Sequence, residues 1–243
     1  MREWLGLPVA ASAEAARIDQ TLVLVHWLML GLFVGWTAFF FYVLIRFRKS
    51  ANPRANSVDV RAHWATGVEV GVLAAEIALL AFLSIPFWSA RVNALPTATN
   101  AVIVRVVAEQ YSWNVHYPGD DGRFGRTRLE LIDPDNPLGL DRTDPDARDD
   151  VTTVNQLHVP VNVPVVVYLT SKDVVHSFTL PEMRVKQDTI PGSVQTTWFT
   201  PTQTGEWEIA CSQLCGLAHY RMRGFFTVQS DADFRAWLAT GER

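Results

Sequence analysis

Cys211, Cys215, His219 and Met222 stand within the twelve residues 211–222, and the chain has no other cysteine. Thiolate, imidazole and thioether together are the donor set that suits copper in electron transfer. His176, in Asp173-Val174-Val175-His176-Ser177-Phe178, would add the further imidazole such a site needs. On the cysteines alone, a disulfide in an oxidising compartment competes with a metal. A disulfide gives no role to a histidine and a methionine four and seven steps past Cys215. Structural zinc wants four strong ligands, and methionine is a poor one. A c-type haem needs Cys-x-x-Cys-His, which is absent from this sequence. A mononuclear blue-copper site takes one thiolate, and a second on the same turn would be readily oxidised unless both sulfurs bridge a pair of metals. The residues read as a two-copper electron-transfer centre.

What must position them begins with membrane segments. The 243 residues carry a net charge of only −4, which gives no case for nucleic-acid binding. Thr21 to Ile45 contains no Asp, Glu, Lys or Arg, and at about 1.5 Å per residue it reaches across a hydrocarbon core of roughly 30 Å. Trp64 to Trp88 is a second apolar run, interrupted by Glu69 and Glu76 seven residues apart on nearly the same helical face. Intramembrane acids usually face protein or water, so that face suggests a partner. Between the runs lie Arg46, Arg48, Lys49, Arg54 and Arg61 against Asp59 alone, whereas Arg2 and Arg17 are offset by Glu3, Glu14 and Asp19. The positive-inside rule then puts the loop 46–63 in the cytoplasm and both chain ends outside. Residues 1–20 are expected to be an extramembrane segment, residues 21–90 a two-helix transmembrane hairpin. Ala11-Ser12-Ala13 stands as a weak candidate for signal-peptide cleavage.

From about Arg91 the pattern changes to short β-branched runs: 101–107, 163–169, 196–199 and 224–228, separated by turns such as Pro118-Gly119 and Pro191-Gly192. Runs at this spacing predict an all-β Greek-key sandwich over 91–229. Residues 230–243 read as a short helix opened by Ser230. Between Gly119 and Asp150 lies an insertion with ten acids and five arginines. It is expected to be a solvated loop, with an acidic docking face for a basic partner as the functional alternative.

Cys-Ser-Gln-Leu-Cys-Gly-x-x-His-x-x-Met with Asp-Val-Val-His-Ser-Phe upstream resembles the CuA site of subunit II of haem-copper cytochrome c oxidases. Met183 to Gly192 and Gln110-Tyr111-Ser112-Trp113 resemble further segments of that family, and the likeness runs from about residue 20 to 228. It implies a cupredoxin-like domain on the periplasmic face of a bacterial cell membrane. It also implies that Cys211 and Cys215 bridge two coppers, with His176 and Met222 completing one metal. His219 and the backbone carbonyl of Gln213 would complete the other. The implied partners are oxidase subunit I, other oxidase subunits and a donor cytochrome c. Electrons would leave by way of His219 toward haem in subunit I, where dioxygen is reduced to water and protons are moved.

The family usually has Glu at the position of Gln213, where its side chain helps hold a magnesium shared with subunit I; an amide is a weaker ligand for that hard cation. The family accepts electrons through a tryptophan where this chain has Tyr111, so Tyr111 and Trp113 are the candidate electron-accepting aromatics, against a plain reading as core aromatics of a strand. Aligning Pro86 with the family's proline puts Glu69 at the family's cytoplasmic proton mouth, against an interfacial carboxylate paired to Arg61 or lipid. The rival functions are the CuA subunit of a nitric-oxide reductase and a membrane-anchored copper-binding or assembly protein.

Overall fold

The computed structural model describes residues 4–54 and 63–240. Arg2, Glu3, Asp59 and Arg61, which entered the charge argument, lie outside the described residues. The chain divides into two units, Thr21–Leu95 and the combination of Met1–Gln20 with Pro96–Arg243.

Among the described residues, two helices are long and apolar enough to cross a bilayer. The first, α1 (Ala15–Arg46), runs 32 residues and keeps its charged groups, Arg17, Asp19 and Arg46, at its ends. The second run comprises α2 (His63–Leu79), a π-helical turn Leu80–Ser84 and α3 (Ile85–Val92). The π turn has a local cause. Pro86 has no N–H to offer the carbonyl of Phe82, and its ring crowds that carbonyl. The helix accommodates it by widening, and the Ile85 N–H reaches back to the Leu80 carbonyl. Large apolar side chains lie exposed along both helices, far more than a water-facing surface tolerates. Glu69 and Glu76 both sit on α2, exposed.

The other unit is a β-sandwich of two five-stranded sheets among the described residues. One sheet holds β1 (Val102–Glu109), β2 (Ser112–Tyr117), β3 (Val151–Val154), β5 (Val165–Ser171) and β8 (Gln195–Phe199) in the order β3-β2-β1-β5-β8. The other holds β4 (Gln156–Pro160), β6 (His176–Leu180), β7 (Val185–Thr189), β9 (Gly205–Cys211) and β10 (Arg223–Gln229) in the order β4-β10-β9-β6-β7. Alternation along β1 sends Val104, Val106 and Ala108 inward, where they meet Trp113, Leu169, Phe178, Ile209 and Phe226 in one core. This is the all-β sandwich expected from the sequence. A short helix, α4 (Asp231–Thr240), closes the unit. It is capped reciprocally: Ser230 Oγ accepts from the Asp233 N–H at 3.1 Å and donates to the Asp233 carboxylate at 2.6 Å.

Residues 8–20 pack onto this unit. Ala11 donates its N–H to the Glu182 carbonyl and accepts from Thr202, and Ala13 donates to Thr200. Ala11 and Ser12 are buried, so the candidate cleavage site lies inside the fold. Arg184, in the left-handed region at φ 57, turns its guanidinium onto the Asp19 carboxylate at 2.8 and 3.1 Å and onto the Pro8, Val9 and Pro181 carbonyls.

The insertion is solvent-exposed over most of its length, as expected, but is held as a folded lobe. Its acids act as backbone acceptors: Asp149 takes the N–H groups of Asp120 and Asp121, and Asp150 takes that of Gly125. Leu138, Leu140 and Ala147 are buried, and a bridge joins Thr127 to Leu140. His116, on the outward face of β2, meets Asp150 at 2.6 Å with both side chains buried.

Candidate metal centre

The antiparallel pairing of β6 with β9 sets Cys211 opposite Phe178, two residues from His176. Ser212 extends that ladder by donating to the Ser177 carbonyl at 3.0 Å. The loop then turns through Cys215 and a 3-10 turn at His219–Arg221, and returns at Met222 to open β10. One strand end and one returning loop thus gather the predicted ligands.

Both cysteines are free, with Sγ atoms 3.8 Å apart. His176 Nδ1 lies 3.1 Å from Met222 Sδ and 4.0 Å from Cys211 Sγ. His219 Nδ1 lies 3.5 Å from the other sulfur, Cys215 Sγ. Met222 Sδ is 3.7 Å from Cys215 Sγ, and the Gln213 carbonyl oxygen is 3.3 Å from Cys211 Sγ. The ligand atoms of His176, Cys211 and Cys215 fall within 4.8 Å of one another. Around a pair of thiols stand two imidazoles, one thioether and one carbonyl, a set that suits a soft, borderline metal and fits copper.

Three residues that the sequence reading passed over organise this set. Asp173 accepts His176 Nε2 at 2.9 Å, together with the N–H groups of Gln110 and Val174. A carboxylate can only accept, so Nε2 carries the proton and Nδ1 presents its lone pair to the sulfurs. Burial works against the Asp173 charge, but the hydrogen bonds from His176, Gln110 and Val174 overcome it and hold the carboxyl below its usual range. Gln110 donates its side-chain amide to the Cys215 carbonyl at 2.6 Å, tying the metal loop to the β1–β2 turn. Gly216 adopts φ +131, and a Cβ there would lie 2.6 Å from both Gln110 Nε2 and Tyr111 Oη. The signals were present but thin: Asp173 stands three residues before His176, and Gln110 opens the aromatic run.

Burial, reinforced by the hydrogen bond and charge of Cys211, pushes the Cys215 thiol up to about 11. In the metal-free protein it is therefore protonated at neutral pH. The aromatics Tyr111 and Trp113 separate in role. Trp113 is wholly buried and packs edge-on against His176 and Phe178, with ring centroids 6.2 and 5.6 Å away. A donor protein cannot touch it. Tyr111 is half-buried, its hydroxyl against the Gly216 backbone. Glu69 belongs to the helical unit, not to this cluster.

Comparison with known proteins adds an independent line. The family model described as "Cytochrome C oxidase subunit II, periplasmic domain" matches residues 102–228. The alternative cytochrome c oxidase subunit 2 of Bradyrhizobium diazoefficiens is 36% identical over 97% of this chain and 83% of its own length. Cytochrome c oxidase subunit 2 of Synechocystis is 26% identical over 97% of this chain and 77% of its own length. Among solved structures, the periplasmic domain of cytochrome oxidase subunit II from Bradyrhizobium japonicum is 32% identical. It covers 60% of this chain and 96% of that domain, with a TM-score of 0.44.

Proposed function

Because the chain belongs to the cytochrome c oxidase subunit II family, we propose that its cluster of two cysteines, two histidines and a methionine holds a dinuclear copper centre. When bound, the copper pair would take single electrons from a cytochrome c and deliver them to haem in subunit I, where dioxygen is reduced to water. The observation that carries this reading is the convergence of four further donor groups around two unbridged thiols 3.8 Å apart. Cys211 and Cys215 would bridge the metals. His176 with Met222 would hold one, and His219 with the Gln213 carbonyl the other.

The chain's own work is positioning. Asp173 fixes the tautomer and orientation of His176, and Gln110 fixes the loop carrying Cys215. Trp113 fills the wall behind His176 and excludes water from it. Tyr111, accessible where Trp113 is not, is the aromatic on which a donor cytochrome would dock. The membrane helices anchor the domain on the periplasmic face, and Glu69 stands as the proton-uptake group on the cytoplasmic side. With an amide at Gln213, a magnesium bridge to subunit I loses its usual charged ligand.

The test is electron paramagnetic resonance of the full chain in detergent after copper loading. Hyperfine splitting over two equivalent coppers is the expected spectrum. The pattern of a single copper, or a Cys211–Cys215 disulfide that keeps metal out, would overturn the reading.

A further inference from the structure

The folded lobe covers the outward face of the β3-β2-β1-β5-β8 sheet incompletely, leaving a groove of about 530 Å³. Its size lies within the range of small-molecule sites, roughly 300–1,000 Å³. On its floor, Arg105 of β1 sits between His116 of β2 and Tyr168 of β5, its register partners on either side. The Arg105 guanidinium carbon lies 4.2 Å over the ring of Phe124 in the lobe. Among the described residues no carboxylate lies within ion-pair distance of it. Asp150 takes His116 Nε2 at 2.6 Å and the Gly125 N–H at 2.8 Å on one oxygen, while its other oxygen has no hydrogen-bond partner. Burial disfavours the Arg105 charge, and the charge of Asp150 works against that. The walls and rim are mostly apolar, Phe124, Leu129, Ile132 and Val194 among them, of which Leu129 is 82% and Val194 66% exposed; Thr127, Thr170 and Lys172, the last paired to Glu109 at 2.6 Å, also line the groove.

A half-buried planar cation in no direct ion pair, at the base of a mostly apolar groove, suits an anion with an apolar body. Phosphate or sulfate would leave the apolar walls wet, and a neutral hydrocarbon would leave the guanidinium unmatched. We propose that this groove binds a monocarboxylate with an apolar tail, its carboxylate on Arg105 and its tail along Phe124, Leu129, Ile132 and Val194. The guanidinium fork matches a carboxylate in two parallel hydrogen bonds while its face stays stacked on Phe124. Nothing in this site depends on copper or on the electron-transfer reading.

The probe is octanoate carrying a carboxyl ¹³C label, titrated by nuclear magnetic resonance onto the full chain in nanodiscs, with empty nanodiscs as background. A saturable shift of the carboxyl signal is expected. Arg105→Gln should weaken binding about tenfold, the worth of one charge-assisted contact. Arg105→Lys should recover part of the loss, since it keeps the charge and not the fork. Val194→Trp, which closes the mouth without touching Arg105, should weaken binding comparably and covers the case in which Arg105→Gln disturbs the lobe. The proposal falls if octanoate gives no saturable shift, if Arg105→Gln binds it unchanged, or if octanol competes equally well. It also falls if octanoate does not bind while assembly of the whole oxidase protects residues 124–138 from hydrogen exchange, which would give the groove to a partner subunit.

Discussion

Gly216→Ala isolates the geometry of the metal loop from its chemistry, because the substitution removes no donor atom. The backbone there sits at φ +131, where L side chains rarely lie, and the added methyl would come to 2.6 Å from both Gln110 Nε2 and Tyr111 Oη. Holding a non-glycine residue in such a conformation costs about 1–3 kcal/mol. Moving Gln110 away forfeits its 2.6 Å bond to the Cys215 carbonyl, worth about 1 kcal/mol. The sum is about 2–4 kcal/mol. Without metal the loop can relax by shifting Cys215 away from Cys211, so the folded domain escapes most of the strain. Loading restores the sulfur spacing and incurs it. Copper affinity should therefore fall by roughly 30- to 1,000-fold, while the melting temperature of the metal-free chain changes little. Competition against a chelator of known affinity reads the first quantity, and calorimetry of the metal-free chain reads the second. An alanine variant that holds copper as tightly as the parent would refute the claim that Gly216 sets the site's geometry.

Asp173→Asn keeps an acceptor near His176 Nε2 but removes the charge; copper retention should weaken about 10- to 100-fold, and the hyperfine pattern in the resonance spectrum should become unequal between the two metals. Copper loading at neutral pH should release the proton held on Cys215, whose thiol stands at about 11. For each proton displaced, apparent affinity then rises about tenfold per pH unit up to that value, and titration calorimetry in buffers of different ionisation enthalpy counts the protons; a pH-independent affinity would contradict it. Asp19→Asn strands the buried Arg184 guanidinium and should destabilise the β unit by about 3–5 kcal/mol, seen as a lowered melting temperature with the metal ligands untouched.

The metal cluster was legible because its information lies in residue types at fixed steps along one loop, and because only one histidine upstream needed to be found. The strands β1, β5, β8 and β10 were legible as β-branched runs. The polar outward residues of β2, Asn114 and His116, hid that strand, since they face the lobe rather than water. The lobe's solvated character was legible, its internal order was not: Asp149 and Asp150 act as turn acceptors, and Leu138 and Leu140 are buried. Asp173 and Gln110 escaped because what matters about them is contact across long separations: 63 residues for the Asp173–Gln110 bond and 105 for the Gln110–Cys215 bond. Spacing along the chain carries no trace of such pairs.

The hydrogen bonds between residues 8–20 and residues 181–202 have a consequence for the order of events in biosynthesis. The Arg184–Asp19 pair joins residues 165 positions apart, and the Thr200–Glu14 bond residues 186 apart. During synthesis residues 8–20 must therefore wait for residues 181–202. The sandwich cannot close until both apolar helices and most of the β region have been synthesised. Loop closure over such a span is slow and leaves strand edges open meanwhile. A fragment cut to begin after the second helix would leave the acceptor carbonyls of Glu182 and Thr200 without these partners.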